Sequence, residues 1–361
     1  MLILTNEEIE TLLRMEECIA ILEEAYRDMA QGRALNSFRG ENLAPCGRDD
    51  AHYLFKHMGG TWPARKIHAL RINSDIISYA KAGGLPRRVK RPMAHGRWVG
   101  LVQIFSIETG ELLAIFPDGV AQRMRVAASS GIGAKFLARA DASRLGLIGC
   151  GWQAGAQLMA ALAVRPITDV KVYSVHKESR ESFAHEMSNR LGIRIRAVDT
   201  ADECARDVDF VAASTSSTAR VVDPEWLAPG MHVSCIRTEE IDDQVLARCD
   251  RIAVHVKDDK QLDPLIIPDT PGVASHMDNF AAQRGQLQDV STGWSAFPDL
   301  TDLVARSDYG RSESTQITCF INNVGLGLQF AAIGALVLEK AREARVGREL
   351  PGEWFTQSVH P

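Results

Sequence analysis

The chain has no apolar run of about 18 residues, so no membrane-spanning helix is expected. Its seven cysteines (Cys18, Cys46, Cys150, Cys204, Cys235, Cys249 and Cys319) are odd in number and never form a C-x-x-C pair. That pattern argues against a disulfide framework or a zinc site, and for reduced thiols in a cytoplasmic protein. Apart from the short RRVKR (87–91) no Lys/Arg block occurs, no basic run is interleaved with aromatics, and the formal net charge is −5, so nucleic acid is not an expected partner. Residues 1–8 (MLILTNEE) lack the basic start and long apolar core of a signal peptide. There is no H-E-x-x-H, no nucleophile elbow and no P-loop, which leaves metalloprotease, serine hydrolase and kinase chemistry without a sequence basis. No metal-ligand spacing, internal repeat or low-complexity tract is present. What remains is an ordinary globular composition, 45% hydrophobic and 24% charged, over 361 residues, a length that suggests two domains.

The pattern of the chain changes twice. Met15 to Met29 carries apolar residues at helical spacing, with Thr5 or Asn6 placed to cap a start. Between Ala51 and Phe116 the segments YLFKHMGG (53–60), KIHALRIN (66–73) and WVGLVQIF (98–105) read as strands, and Glu108 to Glu111 as a hairpin turn. The first third is therefore α+β. Val126 to Leu137 reads as a small-residue-rich helix, with Arg125 at its start. Strands then alternate with helices: Asp169–Val175, Arg194–Val198, Val208–Ala213, His232–Ile236 and Arg251–Val256 are the strand segments. That alternation predicts a parallel sheet. Ala274 to Val304 is expected to be helix and loop, and Phe320 to Arg345 a long helix.

The segment RLGLIGCGWQA (144–154) is the most informative. An apolar run ends in Gly-x-Gly-x-x-Ala and an Ala-rich helical pattern follows, which is the strand–turn–helix setting of a dinucleotide-binding fingerprint. Gly149 permits the tight turn, Gly151 lets a pyrophosphate approach the backbone, and Ala154 keeps helix and strand close. Trp152 and Gln153 complete the loop. About 20 to 25 residues on, a carboxylate usually binds the adenosine ribose. Here Ser174, His176, Lys177 and Arg180 stand instead, a hydroxyl and basic groups suited to a 2′-phosphate, which favours NADP(H) over NAD(H). Ser214, Thr215 and Ser216 follow the fourth strand, at the sheet edge where ligands bind in open α/β folds.

Four cations, Arg39, Lys66, Arg71 and Arg125, lie in or beside apolar segments of the first domain. Lone charges are costly there unless paired, and a guanidinium is well shaped for a carboxylate. They are the candidate substrate-binding and catalytic residues.

Several motifs together resemble the ornithine cyclodeaminase/mu-crystallin family: TGELLA (109–114), Asp118-Gly119, RVAAS (125–129), AKFLAR (134–139), LIGCGWQA (147–154), DPEWLAPGMHV (223–233), Glu240-Ile241-Asp242 and ITCFINNVGLG (317–327). The resemblance implies a Rossmann-type nucleotide-binding domain (residues 126–319) inserted into an α+β dimerisation and substrate-binding domain (1–125 plus 320–361), and a homodimer. It implies reactions that interconvert amino acids and imines through one hydride step. It assigns the substrate carboxylate to Arg39, Lys66 and Arg125, and places Asn322-Asn323 near the nicotinamide. This chain departs from the family where Arg71 stands close after Lys66 and is available to share its role. It departs again at Ile76 to Arg97, an insertion-like stretch read as a lid or pocket rim. The third departure is in residues 234–239 (SCIRTE), which lack the catalytic Asp of cyclodeaminases and alanine dehydrogenases.

The expected function is NADPH-dependent reduction of an imine or ketimine of a small amino or imino acid, or the reverse oxidative deamination, with Lys66 or a water as proton donor. Two alternatives remain open at this stage. One is a redox-neutral cyclodeaminase with tightly bound NAD; the other is a non-catalytic NADPH-binding or accessory protein of amine metabolism.

Overall fold

A computed structural model of the chain describes residues 1–37, 39–82, 85–257 and 293–359; for residues 80–82, 85–88, 94 and 307 it describes the backbone alone. Two sheets organise it. The first is built from β1 (Leu2–Ile3), β2 (Leu35–Asn36), β3 (Gly40–Pro45), β4 (His52–Trp62), β5 (Ile67–Ala82), β6 (Leu85–Arg91), β7 (Val99–Ser106), β8 (Leu112–Pro117) and the late strand β16 (Arg348–Glu349). Its order is β16-β1-β8-β7-β5-β4-β2, with β3 also paired to β4 and β6 to β5; all pairs are antiparallel except β1 with β8. The period-2 alternation of β4 buries Leu54, Lys56, Met58 and Trp62, and that of β5 buries Ile67, Ala69, Arg71, Asn73, Asp75 and Ile77. Polar residues therefore occupy the middle of an otherwise apolar face.

The second sheet comprises β9 (Arg144–Ile148), β10 (Asp169–Tyr173), β11 (Arg194–Ala197), β12 (Phe210–Ala213), β13 (His232–Cys235), β14 (Arg251–Val254) and β15 (Thr318–Ile321), in the order β11-β10-β9-β12-β13-β15-β14 and parallel throughout. Its inner strands are short and buried along their whole length, as in a sheet covered on both faces. Five expected strands appear within two residues of their expected ends. The exception is β15. Phe320 and Ile321 belong to a strand and not to the start of a long helix, because so short a buried segment carries no period that separates strand from buried helix. Helix follows only from Gly327. Residues 274–292 of the expected helix-and-loop segment lie outside the described residues.

The helices are α1 (Asn6–Leu12), α2 (Met15–Ala30), α3 (Asp118–Leu137), α4 (Trp152–Val164), α5 (Lys177–Leu191), α6 (Ala201–Ala205), α7 (Asp243–Leu246), α8 (Leu300–Ala305) and α9 (Gly327–Ala344). α1 starts at a capping box between Thr5 and Glu8. α3 is buried on nearly every side and contacts α2, α4 and α9 as well as β7, β13 and β15, so it lies between the two sheets. It begins at Asp118, eight residues before the small-residue pattern, which places Arg125 two turns inside the helix and not at its start. α9 packs against β4, β5 and β7. Among the described residues no helix is long and apolar enough to cross a membrane.

One carboxylate ties the second sheet together at its amino edge. Asp209, which precedes β12, accepts the backbone N–H groups of Ser143 and Arg144 at 3.0 Å each and pairs with the Arg144 guanidinium at 2.9 Å. Burial alone would raise its pKa, but these donors outweigh it and hold the carboxyl at about 2. Since the folded value lies below the unfolded one, its stabilisation is present above about pH 4 and is lost as pH falls towards 2. Asp209→Asn should therefore lower Tm at neutral pH, with the difference from wild type closing between about pH 4 and pH 2 in thermal scans. A difference independent of pH would contradict the assignment.

Candidate functional site

The sheet order reverses between β9 and β12, and a cleft of about 640 Å³ opens at the carboxyl ends of the strands there. Gly149, Gly151, Trp152 and Gln153 line it from the β9 turn, Ser174 and His176 from the end of β10, and Ser214, Thr215 and Ser216 from the end of β12. Gly149 has φ of +112°, and a Cβ there would run into the Ser214 carbonyl oxygen, so only glycine fits. α4 starts from Gly151 with no side chain over its first turn, leaving its N–H groups open to an anion. The Ser214 hydroxyl is buried and has no hydrogen-bond partner among the described residues. A Gly-rich turn, a bare helix start and an orphaned hydroxyl in one cleft fit a dinucleotide.

The wall of this cleft is fixed by a buried carboxylate. Glu240 accepts the N–H of Thr215 at 2.5 Å and those of Ile236 and Arg237 at 3.0 and 3.1 Å, joining the loops after β12 and β13. Burial raises its pKa to about 7 against the pull of these donors.

On the first sheet the inner-face polar residues meet those of α3. Arg71 donates to Asp118 through Nε at 2.8 Å and Nη2 at 2.7 Å, and Asn73 donates to the same oxygen at 3.1 Å. Gly100 lies opposite Asn73 on β7, and a Cβ there would collide with Asp118. Arg71 and Arg125 both stack on Phe330, 5.5 and 5.3 Å from the ring centre. Arg125 is buried and, among the described residues, lacks a carboxylate partner; its Nη1 donates to Gln329 Oε1 at 3.0 Å, and its Nε has no acceptor among them. Burial, with repulsion from Arg71 and Arg39, lowers its pKa to about 9. A guanidinium held in this way is prepared for an external anion.

Arg125 is anchored by a chain of fully enclosed groups. Gln329 Nε2 donates to Ser129 Oγ at 2.7 Å, and Ser129 Oγ lies 3.3 Å from the Tyr26 hydroxyl. Tyr26 in turn lies 2.5 Å from His255 Nε2, while His255 Nδ1 meets the Val324 carbonyl. A carbonyl only accepts, so Nδ1 carries the proton and Tyr26 donates to Nε2. Burial, followed by the charge of Arg125, pushes the His255 pKa down to about 3, which keeps the ring neutral.

The expected site residues divide into those brought together and those that are not. Arg39, Arg71 and Arg125 share the first-sheet cluster. Lys66 does not. It sits in a left-handed turn before β5, is 64% exposed at its side chain and pairs with Glu108 at 2.8 Å. Arg71 is five strand positions further on, roughly 16 Å at the rise of a β-strand, and occupies the buried cationic place expected of Lys66. Ala154 is buried behind the cleft, against the sheet. Lys177 is exposed beside Glu181 and Arg180 is tied to Asp199 at 2.5 Å and to the Ser174 carbonyl at 3.1 Å, so neither lines the cleft. Asn322 donates to the Val126 carbonyl and to Ser130, and Asn323 exchanges two hydrogen bonds with the Val256 backbone; they fix the chain after β15. Within Ile76 to Arg97, the end of β5 pairs antiparallel with β6.

Four polar residues of the cluster went unassigned at the sequence level: Glu41, Lys56, Asn73 and Asp118. A signal for Lys56 existed, since strict alternation in residues 53–60 puts it on the same face as Leu54 and Met58. In the cleft the unassigned polar residues include Ser179 and Arg220.

The family model described as "Ornithine cyclodeaminase/mu-crystallin family" matches residues 83–345. The alanine dehydrogenase of Archaeoglobus fulgidus is 28% identical over 354 residues, 97% of this chain and 98% of that protein. The iminosuccinate reductase of Paracoccus denitrificans is 27% identical over 356 residues, 97% and 99% of the two chains. A solved structure of an archaeal alanine dehydrogenase dimer with bound NAD superposes with a TM-score of 0.72 at 26% identity, covering 97% of this chain and 98% of that one.

The Gln329 amide serves Arg125, Ser129 and the Leu326 N–H at once. Gln329→Leu should destabilise the fold by about 2–4 kcal/mol in denaturant titrations, because it strands several buried polar groups. Gln329→Glu keeps an acceptor for Arg125 and should cost less than the Leu variant.

Proposed function

The chain belongs to the ornithine cyclodeaminase/mu-crystallin family, and from that premise we propose that it is a nicotinamide-dinucleotide-dependent oxidoreductase acting on carbon–nitrogen bonds, reducing the imine of a 2-oxo acid or running the reverse deamination. The observation that carries this reading is the buried Arg125 guanidinium, without a carboxylate partner among the described residues, beside Arg71, in a chain that also forms a cleft at the glycine turn. Similarity to an alanine dehydrogenase and an iminosuccinate reductase along nearly the whole length supports it.

Arg125 and Arg71 bind the substrate carboxylate, with Phe330 as the floor beneath both guanidinia. Asp118 orients Arg71, and Gln329 orients Arg125. A reduced nicotinamide held in the cleft would supply a hydride to the imine carbon. Positioning then accounts for much of the acceleration, since a protonated imine is already a good acceptor. Lys66 lies too far out to serve as proton donor, which leaves a water for that part. The dinucleotide is held by the Gly149–Gly151 turn and by Ser214 and Thr215. We assign a preference for NADP(H), supported by the absence of a carboxylate among Ser174 to His176 and by Ser174, His176, Ser179 and Arg220 around that end of the cleft.

The same reading divides the chain into an α+β dimerisation and substrate-binding domain (1–125 plus 320–361) and a Rossmann domain (126–319). In support, every strand of the first sheet comes from residues 2–117 or 348–349. A homodimer fits the outer face of that sheet, where Phe55, Leu70, Ile72, Leu101, Phe105 and Ile115 are only half-buried.

The test is a binding titration with NADPH and NADH, followed by NADPH oxidation with 2-oxo acids and ammonia or methylamine. Arg125→Ala should raise substrate KM by about 10- to 100-fold, the weight of a lost charge-assisted pair, while NADPH affinity stays within about twofold. Equal loss of both would contradict the assignment. NADPH binding without turnover across the substrate panel would favour an accessory role, and preference for NADH would overturn the reading of the cleft.

A further inference from the structure

Glu240 knits together the wall of the cleft formed by the loops after β12 and β13. Its Oε1 accepts the Thr215 N–H at 2.5 Å, and its Oε2 accepts the N–H groups of Ile236 and Arg237 at 3.0 and 3.1 Å. The Thr215 hydroxyl donates to the same carboxylate. The Glu240 backbone carbonyl takes the N–H groups of Val221 and Val222 at 2.9 and 3.3 Å. Thr215, Val221 and Ile236 all line the cleft, so one residue holds three segments of its wall.

Neutral N–H and O–H groups serve this fully enclosed carboxylate, and among the described residues no cation pairs with it. The Arg237 guanidinium turns to Glu239 at 2.8 Å, and that of Arg220 to Asp242 at 2.7 Å and Asp223 at 3.8 Å. Ser214 to Ser217 carry no charged side chain. Burial and the Glu240 charge push the neighbouring Cys235 thiol well above its ordinary range, so it stays protonated. Burial also keeps the Glu240 carboxyl at about 7, against the pull of its donors. Both of its oxygens accept, and only the ionised form can do that. Once protonated, one oxygen must donate, and it then meets an N–H that can only donate as well. Oε1 faces one backbone donor and Oε2 faces two, so the proton goes to Oε1 and displaces the Thr215 N–H. The rest of that loop depends on Thr215, whose Oγ1 accepts the Ser217 N–H at 3.2 Å.

We propose that Glu240 is a positioning residue that must be ionised for the cleft to hold the dinucleotide, so that cofactor binding weakens as pH falls through neutrality and releases a proton. This rests on the dinucleotide reading of the cleft given above. The direction is distinctive. Protonation of His176, which lines the cleft at the end of β10, draws phosphate in and strengthens binding at low pH. Cys150, also in the cleft, is pushed up to about 11 by burial and keeps its proton throughout this range.

The experiment follows dinucleotide affinity with pH by calorimetric titration. NADH is the main probe, because it lacks the 2′-phosphate and its own titration near neutrality; NADPH is the second. NADH binding should weaken about 10-fold from about pH 8 to about pH 6, in proportion to the ionised fraction of Glu240. Glu240→Gln should flatten that profile at the weaker level. Thr215→Val removes one donor to the carboxylate and should move the midpoint up by about one pH unit, a shift that a merely structural role would not produce. In the free protein, amide hydrogen exchange corrected for its intrinsic pH dependence should show residues 214–217 losing protection over the same range. That measurement and the wild-type profile decide should the Gln variant fail to fold. Wild-type binding that is flat or tightens towards pH 6, or a Gln variant as steep as wild type, would overturn the proposal and leave the cleft reading intact. No binding of either dinucleotide at any pH would reject the cleft reading and the proposal with it.

Discussion

The burial of Arg125, which has no carboxylate of its own among the described residues, is the constraint around which the rest of the molecule is arranged. A guanidinium enclosed in protein is expensive unless its donors are satisfied. Among the described residues this one is supported by an amide and an aromatic face, neither of which carries negative charge. Gln329 and Phe330 come from adjacent positions of α9, so the start of that helix has to meet α3 closely. Tyr26 from α2 and His255 from the end of the second sheet complete the support, and all four chain segments are thereby fixed around one side chain. In the proposed function, the energetic deficit left at Arg125 is what a substrate anion removes on binding.

Much of the fold was legible in the sequence because its elements have strong local signatures. The buried strands of the second sheet are short apolar runs separated by helical patterns, and the glycine fingerprint marks the first strand–helix turn unambiguously. β15 was hidden, since Thr318 to Ile321 has no distinguishing period and lies just before a Gly-rich stretch that continues into true helix. The start of α3 was hidden as well. Asp118 and Gly119 are poor helix formers by propensity, yet the carboxylate at the first position favours the helix end and is held by Arg71 and Asn73. Tertiary contacts overrode local preference there.

Site residues followed the same division. Gly149, Gly151 and Ser214 act through backbone geometry, which a motif encodes directly. The cations depend on which face of a strand they occupy, and on what lies across from them. Lys66 and Arg71 are both basic and both near the start of β5, but only Arg71 shares the inward face with Ala69 and Asn73. Lys56 is invisible to a search for isolated charges in apolar runs unless the alternation of β4 is followed residue by residue. Arg180 shows the converse. It sits where a 2′-phosphate contact is expected, but Asp199, distant in sequence and brought close by the parallel pairing of β10 with β11, takes its guanidinium.

α3 also explains how two sites built on different sheets keep a fixed relation. Residues two apart on a helix point in nearly opposite directions, at about 200° of rotation. Arg125 faces Phe330 and the first-sheet cluster, whereas Arg123 stacks on Trp152 of the glycine turn at 3.9 Å from its ring centre. Gln122 adds a hydrogen bond from Gln153 at 2.7 Å. One buried helix thus grips the glycine turn with one side and presents the Arg125 guanidinium, the proposed substrate anchor, on the other. A hydride donor and its acceptor must be held at near-contact distance for transfer, and errors of about an ångström are costly. Carrying both grips on a single helix, packed on nearly every side, makes that distance a property of helix geometry and not of loop conformation. The same arrangement means that a change in packing around α3 acts on both sites together, although neither contains the altered residue.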